Sequence, residues 1–347
     1  MSSDNIKWYS ADDEHFRLSG FAFRKKGEAF CRFEEGVTLP EAVERLARHT
    51  PGGQLAFKTD SPFIRLKFSP ASESYLAVNT RITTAGFDLY MGKPGGKQYF
   101  CGVTRMKIGE EHFDQCVFDL PEKKMRAFTL HFPLYSGVGE LAVGLAEDAV
   151  VELPRPWDND LPVVYYGTSI IHGGCANRPG MMMTNILSRR LNRPFLNFGF
   201  AGSGRGEFDV FMQLARVRKC ALFVLDYGPN VNADTMKETL GQGIDVIRSR
   251  HSTTPILVVG KMHYISEFLE TGSLKQRSQE VQRMTRFQRE EVRRRRRKGD
   301  KNLFFTPGDW GREPDWTEFT VDGVHPTDLG FMFFSKIMEK EIRKYIN

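Results

Sequence analysis

The pattern of apolar segments changes near Pro162, and this change constrains the fold more than any other feature of the sequence. After Pro162, short apolar runs alternate with amphipathic segments, beginning with the run VVYYG. Strands that alternate with helices in this way are typical of a parallel sheet covered by helices on both faces. Ligands of such sheets bind beyond the carboxyl ends of the strands. A functional site is therefore expected in the loops that follow the strands of residues 162–347.

The first half of the chain has a different pattern. From residue 21 to about 145, short apolar runs such as FIRLKF, YLAVNTRI and GFDLYMG are separated by Gly, Pro, Asn and Asp, with one helix expected in LPEAVERLARHT. Many closely spaced strands predict an antiparallel sandwich or jelly roll. The proline-rich stretch VVELPRPWDNDLP then reads as a linker or loop. We predict an all-β sandwich domain at 1–150, a linker at 151–161 and an α/β domain at 162–347.

Composition narrows the functional classes. The net charge is +6, and the five cysteines include no CxxC pair. This argues against a zinc ribbon or a dense disulfide framework, although pairing of Cys101 with Cys116 stays open. Apolar stretches are short and interrupted by charge, so no transmembrane helix is expected. The polar, acidic start of the chain is not a signal peptide as it stands, which leaves a cytoplasmic protein or a periplasmic or secreted one whose leader has been removed.

Ser169 is the candidate nucleophile, because it follows the first strand of the α/β half in VVYYGTSIIHGG. A serine hydroxyl needs a base to remove its proton, usually a histidine that a carboxylate orients. The segment TVDGVHPTDLG supplies His325 with Asp322 three residues before it, and Gly323 allows a turn between them. The alternative interpretation is a surface turn with an incidental histidine.

Two further loops follow predicted strands and offer hydrogen-bond donors. NFGFAGSGRGE follows the second strand, and its glycines allow backbone N–H groups to approach a ligand closely. Its spacing does not fit a dinucleotide-binding fingerprint. LDYGPNVN ends the third strand and places the side-chain amide of Asn230 at the same edge of the sheet. A turn asparagine with no role in catalysis is the alternative for Asn230.

In this order, the four segments resemble the conserved blocks of the SGNH (GDSL-like) hydrolases. YGTSI resembles the first block, NFGFAGSG the second, GPN the third and DGVHP the last. Gly-Phe-Asp-Leu-Tyr in the first half also resembles the GxDLY motif of a β-sandwich domain that precedes a subset of these enzymes. The chain departs from the common blocks at Thr168, where the family usually has Asp, and at Pro229 and Val231 beside Asn230. These departures indicate a divergent branch.

The resemblance implies a flavodoxin-like three-layer α/β/α domain and a serine esterase without metal or organic cofactor. It implies Ser169, Asp322 and His325 as the catalytic triad, and an oxyanion hole formed by Ser169, Gly202 and Asn230. The substrate expected by analogy is an acyl ester, for example an acetyl ester, on a carbohydrate. Further candidate substrate-binding residues are Arg178, Arg205 and His263.

Two rival functions stay open at this point. The first is a catalytically weak carbohydrate-binding or scaffold protein. The second is a nucleic-acid binder that uses the run RRRRRK at 293–298, although we favour a solvated helix face, because positive charge is favourable at the carboxyl end of a helix. Our prediction is a small-molecule or glycan ester as the partner, with neither nucleic acid nor membrane; the oligomeric state stays open.

Overall fold

The computed structural model describes residues 5–73, 77–105, 112–262, 273–308 and 315–346, apart from the side chains of 72–73 and 273–277. The chain forms two compact units. The first unit comprises Met1–Glu35, Ala47–Asp160 and Ala176–Phe195, and the second comprises Gly36–Leu46, Leu161–Cys175 and Leu196–Asn347. Each unit therefore includes short segments that interrupt the other unit along the chain. The contiguous domain limits of 1–150, 151–161 and 162–347 stay a prediction.

The first unit is built on two antiparallel sheets. One has the strand order β1-β9-β4-β7; in the other, the order is β10-β3-β8-β5-β6, with β2 paired to β3. The strands are β1 (Ile6–Ser10), β2 (Arg17–Ser19), β3 (Gln54–Thr59), β4 (Phe63–Glu73), β5 (Asp88–Met91), β6 (Tyr99–Val103), β7 (Phe113–Asp119), β8 (Arg126–His131), β9 (Ser136–Ala146) and β10 (Val151–Glu152).

Aromatic residues fill the core of this unit. Phe87, which is fully buried, has its ring centroid 4.8 Å from that of Phe68 and 5.2 Å from that of Phe132. Along β5 and β8, apolar side chains such as Leu89 and Leu130 belong to this core. Because side chains alternate across a strand, the residues next to them, Asp88 and His131, lie on the opposite face of their sheet.

The second unit contains a five-stranded parallel sheet with the order β12-β11-β13-β14-β15. Numbered along the unit, this is the order 2-1-3-4-5 of flavodoxin-like folds. The strands are β11 (Val163–Gly167), β12 (Phe195–Gly199), β13 (Leu222–Asp226), β14 (Ile256–Val259) and β15 (Leu303–Thr306). The first four strands are buried throughout, as expected for a sheet covered on both faces. The predicted fold class is confirmed.

Helices lie between and after the strands of the parallel sheet, and two more precede it in the chain. Among the described residues, no helix is both long and apolar enough to cross a membrane. The helices are α1 (Glu41–Ala47), α2 (Arg81–Ala85), α3 (Ser169–His172), α4 (Met183–Leu191), α5 (Phe208–Leu214), α6 (Ala233–Arg248), α7 (Ser273–Arg297) and α8 (Asp328–Ile342). Short 3-10 turns lie at Pro179–Met181, Gly228–Asn230 and Trp316–Phe319.

One local prediction differs from the structure, and one alternative that the sequence left open is decided. The stretch YLAVNTRI is not a strand over its described part, because Thr80 caps a helix that begins at Arg81; its hydroxyl accepts the N–H of Thr83. The cysteines are all free, so Cys101 and Cys116 do not pair. Their thiols instead donate to the backbone carbonyls of Leu89 and Phe118.

Candidate active site

Ser169 lies where β11, an internal strand of the parallel sheet, ends and the short helix α3 begins. Thr168 has extended backbone, and its hydroxyl accepts the N–H of Ile170, so it caps α3. Glycine is needed at 199, because a Cβ atom there would lie 2.2 Å from the backbone nitrogen of His172. The side chain of Asn197 donates to the carbonyl of Ile171 at 2.6 Å. The helix that carries Ser169 is therefore fastened directly to the end of β12.

His325 and Asp322 lie in a closed loop before α8. The loop is held by an isolated bridge between Thr320 and Pro326 and by the N–H of Val321, which donates to the carbonyl of His325 at 2.8 Å. Gly323 adopts φ +83°, a conformation that favours glycine. One carboxylate oxygen of Asp322 accepts the backbone N–H groups of Val324 and His325 at 3.0 and 2.8 Å. The backbone of the turn thus fixes one oxygen of the Asp322 carboxylate, which leaves the other oxygen to bond to the imidazole of His325.

The three side chains form a continuous chain of hydrogen bonds. Oγ of Ser169 lies 2.8 Å from Nε2 of His325, and Nδ1 of His325 lies 2.7 Å from Oδ2 of Asp322. Burial raises the pKa of Asp322, but the backbone N–H and ring of His325 and the N–H of Val324 outweigh it and lower that pKa. An ionised carboxylate can only accept, so Nδ1 carries the proton and Nε2 is left to accept from the serine hydroxyl.

The glycine loop after β12 is anchored at several points. The N–H of Phe200 donates to the carbonyl of Gly167 at 3.1 Å, and the N–H of Ala201 donates to Nδ1 of His172 at 3.4 Å. At the far end, the hydroxyl of Tyr166 accepts the N–H of Gly206 at 2.8 Å and donates to Glu207 at 2.6 Å. No local pattern indicates these roles of Tyr166, His172 and Glu207, because their partners lie about 30 to 40 residues away.

Gly202 and Asn230 lie in the loops that follow β12 and β13, the two neighbours of β11 in the sheet. Gly202 has φ +68°, and a Cβ atom built on it would meet no other atom within 4 Å. Asn230 ends the 3-10 turn Gly228–Asn230, and its buried side-chain nitrogen has no hydrogen-bond partner among the described residues. A buried donor without a partner costs about 1–3 kcal/mol, so this amide is poised to donate to a ligand.

Asp226, at the carboxyl end of β13, is a buried carboxyl group that these hydrogen bonds do not include. Gly167 is its register partner on β11, and the hydroxyl of Tyr165 donates to it at 3.1 Å. Burial raises the pKa of Asp226 to about 7, although the bond from Tyr165 lowers it. The group is therefore protonated in the folded protein at mildly acidic pH.

We expect Asp226→Asn to stabilise the protein above neutral pH. In the unfolded chain the carboxyl ionises near its ordinary pKa of 3.8, so the stability that its raised pKa contributes is complete below pH 4 and is lost as the pH rises through about 7. The resulting penalty at pH 8 is on the order of 4 kcal/mol, and asparagine cannot incur it. Thermal unfolding of both proteins from pH 4 to 8 should give a Tm difference that grows with pH. A constant difference would contradict this expectation.

The other candidate residues lie apart from this chain of bonds. Arg178 belongs to the first unit, where its guanidinium donates to Asp88 and Tyr90. Arg205 is exposed on the glycine loop. His263 lies outside the described residues. Cys175 is buried, and burial and the charge of Asp322 raise its thiol pKa to about 12, so it is a poor nucleophile.

The basic run at the end of α7 is partly used within the fold. Arg295 is ion-paired with Asp245 at 2.5 Å and with Glu291 at 2.6 Å, and Arg294 also bonds to Glu291. Arg296 donates to the carbonyls of Lys301 and Leu303. These bonds agree with the interpretation of the run as a helix end. No group of three or more His, Cys, Asp or Glu that could hold a metal ion occurs in the part of the chain that the structure describes.

Comparison with protein families gives two matches. Residues 6–151 match the GxDLY N-terminus of SGNH-hydrolase-type esterases, and residues 160–343 match the GDSL-like lipase/acylhydrolase family. The chain belongs to the GDSL-like lipase/acylhydrolase family. This GDSL-like protein is therefore an ester hydrolase. The comparison with curated proteins found no match.

Solved structures of similar fold cover the whole GDSL-like chain. A GDSL-like lipase from Bacteroides ovatus has a TM-score of 0.86 at 30% identity, over 98% of both chains. The salicylyl-acyltransferase SsfX3 of a tetracycline biosynthetic pathway has a TM-score of 0.73 at 18% identity, over 99% of this chain and 98% of its own. A family two carbohydrate esterase from Cellvibrio japonicus has a TM-score of 0.62 at 10% identity, over 98% of both. The last two show a shared fold alone.

Proposed function

We propose that Ser169, His325 and Asp322 are the catalytic triad of this ester hydrolase. The observation that carries the proposal is the pair of hydrogen bonds of 2.8 and 2.7 Å that links the three side chains at the carboxyl edge of the parallel sheet. The ionised Asp322 holds the proton of His325 on Nδ1, so Nε2 is free to accept the serine proton. This is the protonation state that a nucleophilic serine requires.

The reaction then proceeds in two halves. Oγ of Ser169 attacks the ester carbonyl carbon while Nε2 of His325 takes its proton, and the carbonyl π electrons move onto oxygen. The resulting tetrahedral intermediate collapses, the bond to the alcohol breaks, and His325 returns the proton to the leaving alcohol. Water attacks the acyl-serine by the same sequence and releases the acid. Asp322 orients the imidazole and stabilises its charged form.

The backbone N–H groups of Ser169 and Gly202 and the side chain of Asn230 are proposed to bind the oxyanion. Two observations support this assignment. The buried side-chain nitrogen of Asn230 has no partner within the described part of the chain, and the loop of Gly202 is fixed to β11 by the bond from Phe200 to Gly167. Preorganised donors stabilise charge that develops only in the transition state, and they do not have to reorient during the reaction.

Asn230→Ala should lower kcat by about 100- to 1,000-fold with little change in KM, because the amide is proposed to bind only the oxyanion. Asn232→Ala is the matched control. Its side chain accepts the N–H of Thr235 at the start of α6, so its loss should cost stability of about 1 kcal/mol and leave kcat unchanged. Steady-state kinetics on one aryl ester would compare both variants. A loss confined to KM would make Asn230 a ground-state binding residue.

We propose an acyl ester of a carbohydrate, for example an acetyl ester, as the substrate. The similarity in fold to a family two carbohydrate esterase supports this choice. Binding of the sugar by Arg178, Arg205 or His263 stays a prediction. So does the expectation that neither nucleic acid nor a membrane is a partner.

A panel of substrates tests the proposal. The purified protein is incubated with short-chain aryl esters and with acetylated oligosaccharides, and the released acid is measured. Release of acetate from the oligosaccharides supports the carbohydrate assignment, whereas hydrolysis of aryl esters alone removes the carbohydrate and keeps the esterase. Oligosaccharide binding without turnover of any ester would favour the rival binding protein.

A further inference from the structure

The first unit contains a cluster of buried charged side chains that the proposed catalysis does not use. Asp88 of the Gly-Phe-Asp-Leu-Tyr motif is 1% exposed and accepts three hydrogen bonds. Its donors are Nδ1 of His131 at 2.9 Å, Nη1 of Arg178 at 2.7 Å and the backbone N–H of Gly180 at 2.9 Å. Arg189 of α4 donates to Nε2 of His131 at 3.1 Å and to the carbonyl of Gly180 at 2.7 Å.

The charges of this cluster do not balance. Arginine can only donate, so Nε2 of His131 must accept from Arg189, and the imidazole is neutral with its proton on Nδ1. Burial lowers the pKa of His131 to about 4, more than the bond from Asp88 raises it, in agreement with this state. Two guanidinium groups therefore lie near a single carboxylate, and only that of Arg178 bonds to it. Among the described residues, Arg178 is ion-paired with no acid besides Asp88, and Arg189 is ion-paired with none.

Arg178 is a partly exposed member of this positively charged cluster. Its Nη1 donates to Asp88 at 2.7 Å and to the hydroxyl of Tyr90 at 2.6 Å, while Nε and Nη2 bond to no described residue. The side chain is 22% exposed, and its guanidinium lies 4.1 Å from the ring centroid of Phe100, which is 45% exposed. Nη1 of the guanidinium is thus fixed by Asp88 and Tyr90, and Nε and Nη2 are left to donate to a ligand.

We propose that Arg178, held by Asp88 and Tyr90 beside Phe100, is a binding site for a carboxylate or phosphate group. A guanidinium fork matches two oxygens of such a group, and its orientation is set before binding, so little conformational entropy is lost. An anion here also neutralises the charge that Asp88 leaves unmatched. The exposed ring of Phe100 beside the fork suits an anion carried on a sugar or other ring. The proposal concerns the first unit alone and does not depend on the assignment of the triad.

Titration calorimetry of the full-length protein at fixed ionic strength tests the site. Inorganic phosphate and D-glucuronate are the two probes, and glucose is the neutral match for glucuronate. We expect saturable binding of at least one anion and none of glucose. Tighter binding of glucuronate identifies a carboxylate on a sugar ring as the ligand group, and tighter binding of phosphate identifies a phosphate. Equal binding of glucose and glucuronate would overturn the proposal.

Three variants locate the binding. Arg178→Met should weaken it at least tenfold, and Arg178→Lys, which keeps the charge but not the fork, should weaken it by a smaller factor. Arg297→Met is the matched control, since Arg297 is exposed at the end of α7 in the second unit, and its affinity should equal that of the wild type. Should Arg178→Met fail to fold, the lysine variant decides. Wild-type affinity in the folded Arg178 variants, or an equal loss in Arg297→Met, would show that the anion binds elsewhere.

Discussion

Ser169→Ala is expected to reduce kcat/KM for any ester that the protein hydrolyses by at least about a thousandfold. The change removes one partly buried hydroxyl whose bond is to Nε2 of His325, so the fold should persist. The oxyanion donors would remain, and they account for whatever hydrolysis is left. Steady-state kinetics with an aryl ester, alongside a thermal unfolding curve, measures both effects.

Ser203→Ala is the control for this change, because Ser203 lies in the glycine loop next to Gly202. It should retain wild-type activity. A phosphonate that modifies nucleophilic serines should label Ser169 in the wild type, and peptide mass mapping would locate the label. Label at Ser203, or full turnover by Ser169→Ala, would show that Ser169 is not the nucleophile.

His325→Ala and Asp322→Asn should each remove most activity, and their losses should not multiply in the double variant. The asparagine variant keeps an oxygen for the N–H groups of Val324 and His325, but its amide would donate toward Nδ1. The imidazole proton would then be on Nε2, and a protonated Nε2 cannot accept the hydrogen bond of Ser169. A loss of about 10,000-fold is expected from this tautomer change. Because both changes break the same relay, the double variant should resemble His325→Ala alone.

The chain offers a matched pair for this experiment. Asp13 and His15 in the first unit form a bond of 2.7 Å between Oδ1 and Nδ1, the same length as the bond between Asp322 and His325. His15→Ala should leave kcat and KM unchanged. Multiplicative losses for Asp322 and His325 would mean that the two residues act separately, and the proposed relay would then be wrong.

The sequence predicted the parts of the fold and site that have local patterns. Alternating apolar runs predicted the parallel sheet, and each loop predicted for the site follows a strand or precedes the final helix of that sheet. Bonds between distant segments left no such pattern. Arg178 was singled out because it follows Ser169 by nine residues, yet its guanidinium bonds to Asp88, ninety residues earlier. Only the folded chain shows which side chains share a face.

Local propensity predicts the wrong element in one place. The β-branched residues Val78, Thr80 and Ile82 of YLAVNTRI favour a strand, but α2 begins at Arg81. Thr80 caps this helix, and the hydroxyl of Thr84 donates to the carbonyl of Thr80, while that of Thr83 donates to the carbonyl of Ala176. Capping and back-bonding hydroxyls within the helix, together with one tertiary bond, thus outweighed an intrinsic preference of well under 1 kcal/mol per residue.

The interleaving of the two units bears on how such genes can be recombined. A gene cut after residue 160 would encode a sandwich without Ala176–Phe195, so Asp88 would lose Arg178 and Gly180, and Gln54 would lose Asn185. The ribosome cannot complete the first unit until residue 195 has emerged, after the whole segment that bears Ser169 has been made. A chimaera that takes its sandwich from a relative must therefore also take the segment of that relative that corresponds to Ala176–Phe195. A fusion joined at residue 160 is therefore expected to leave the first unit incomplete.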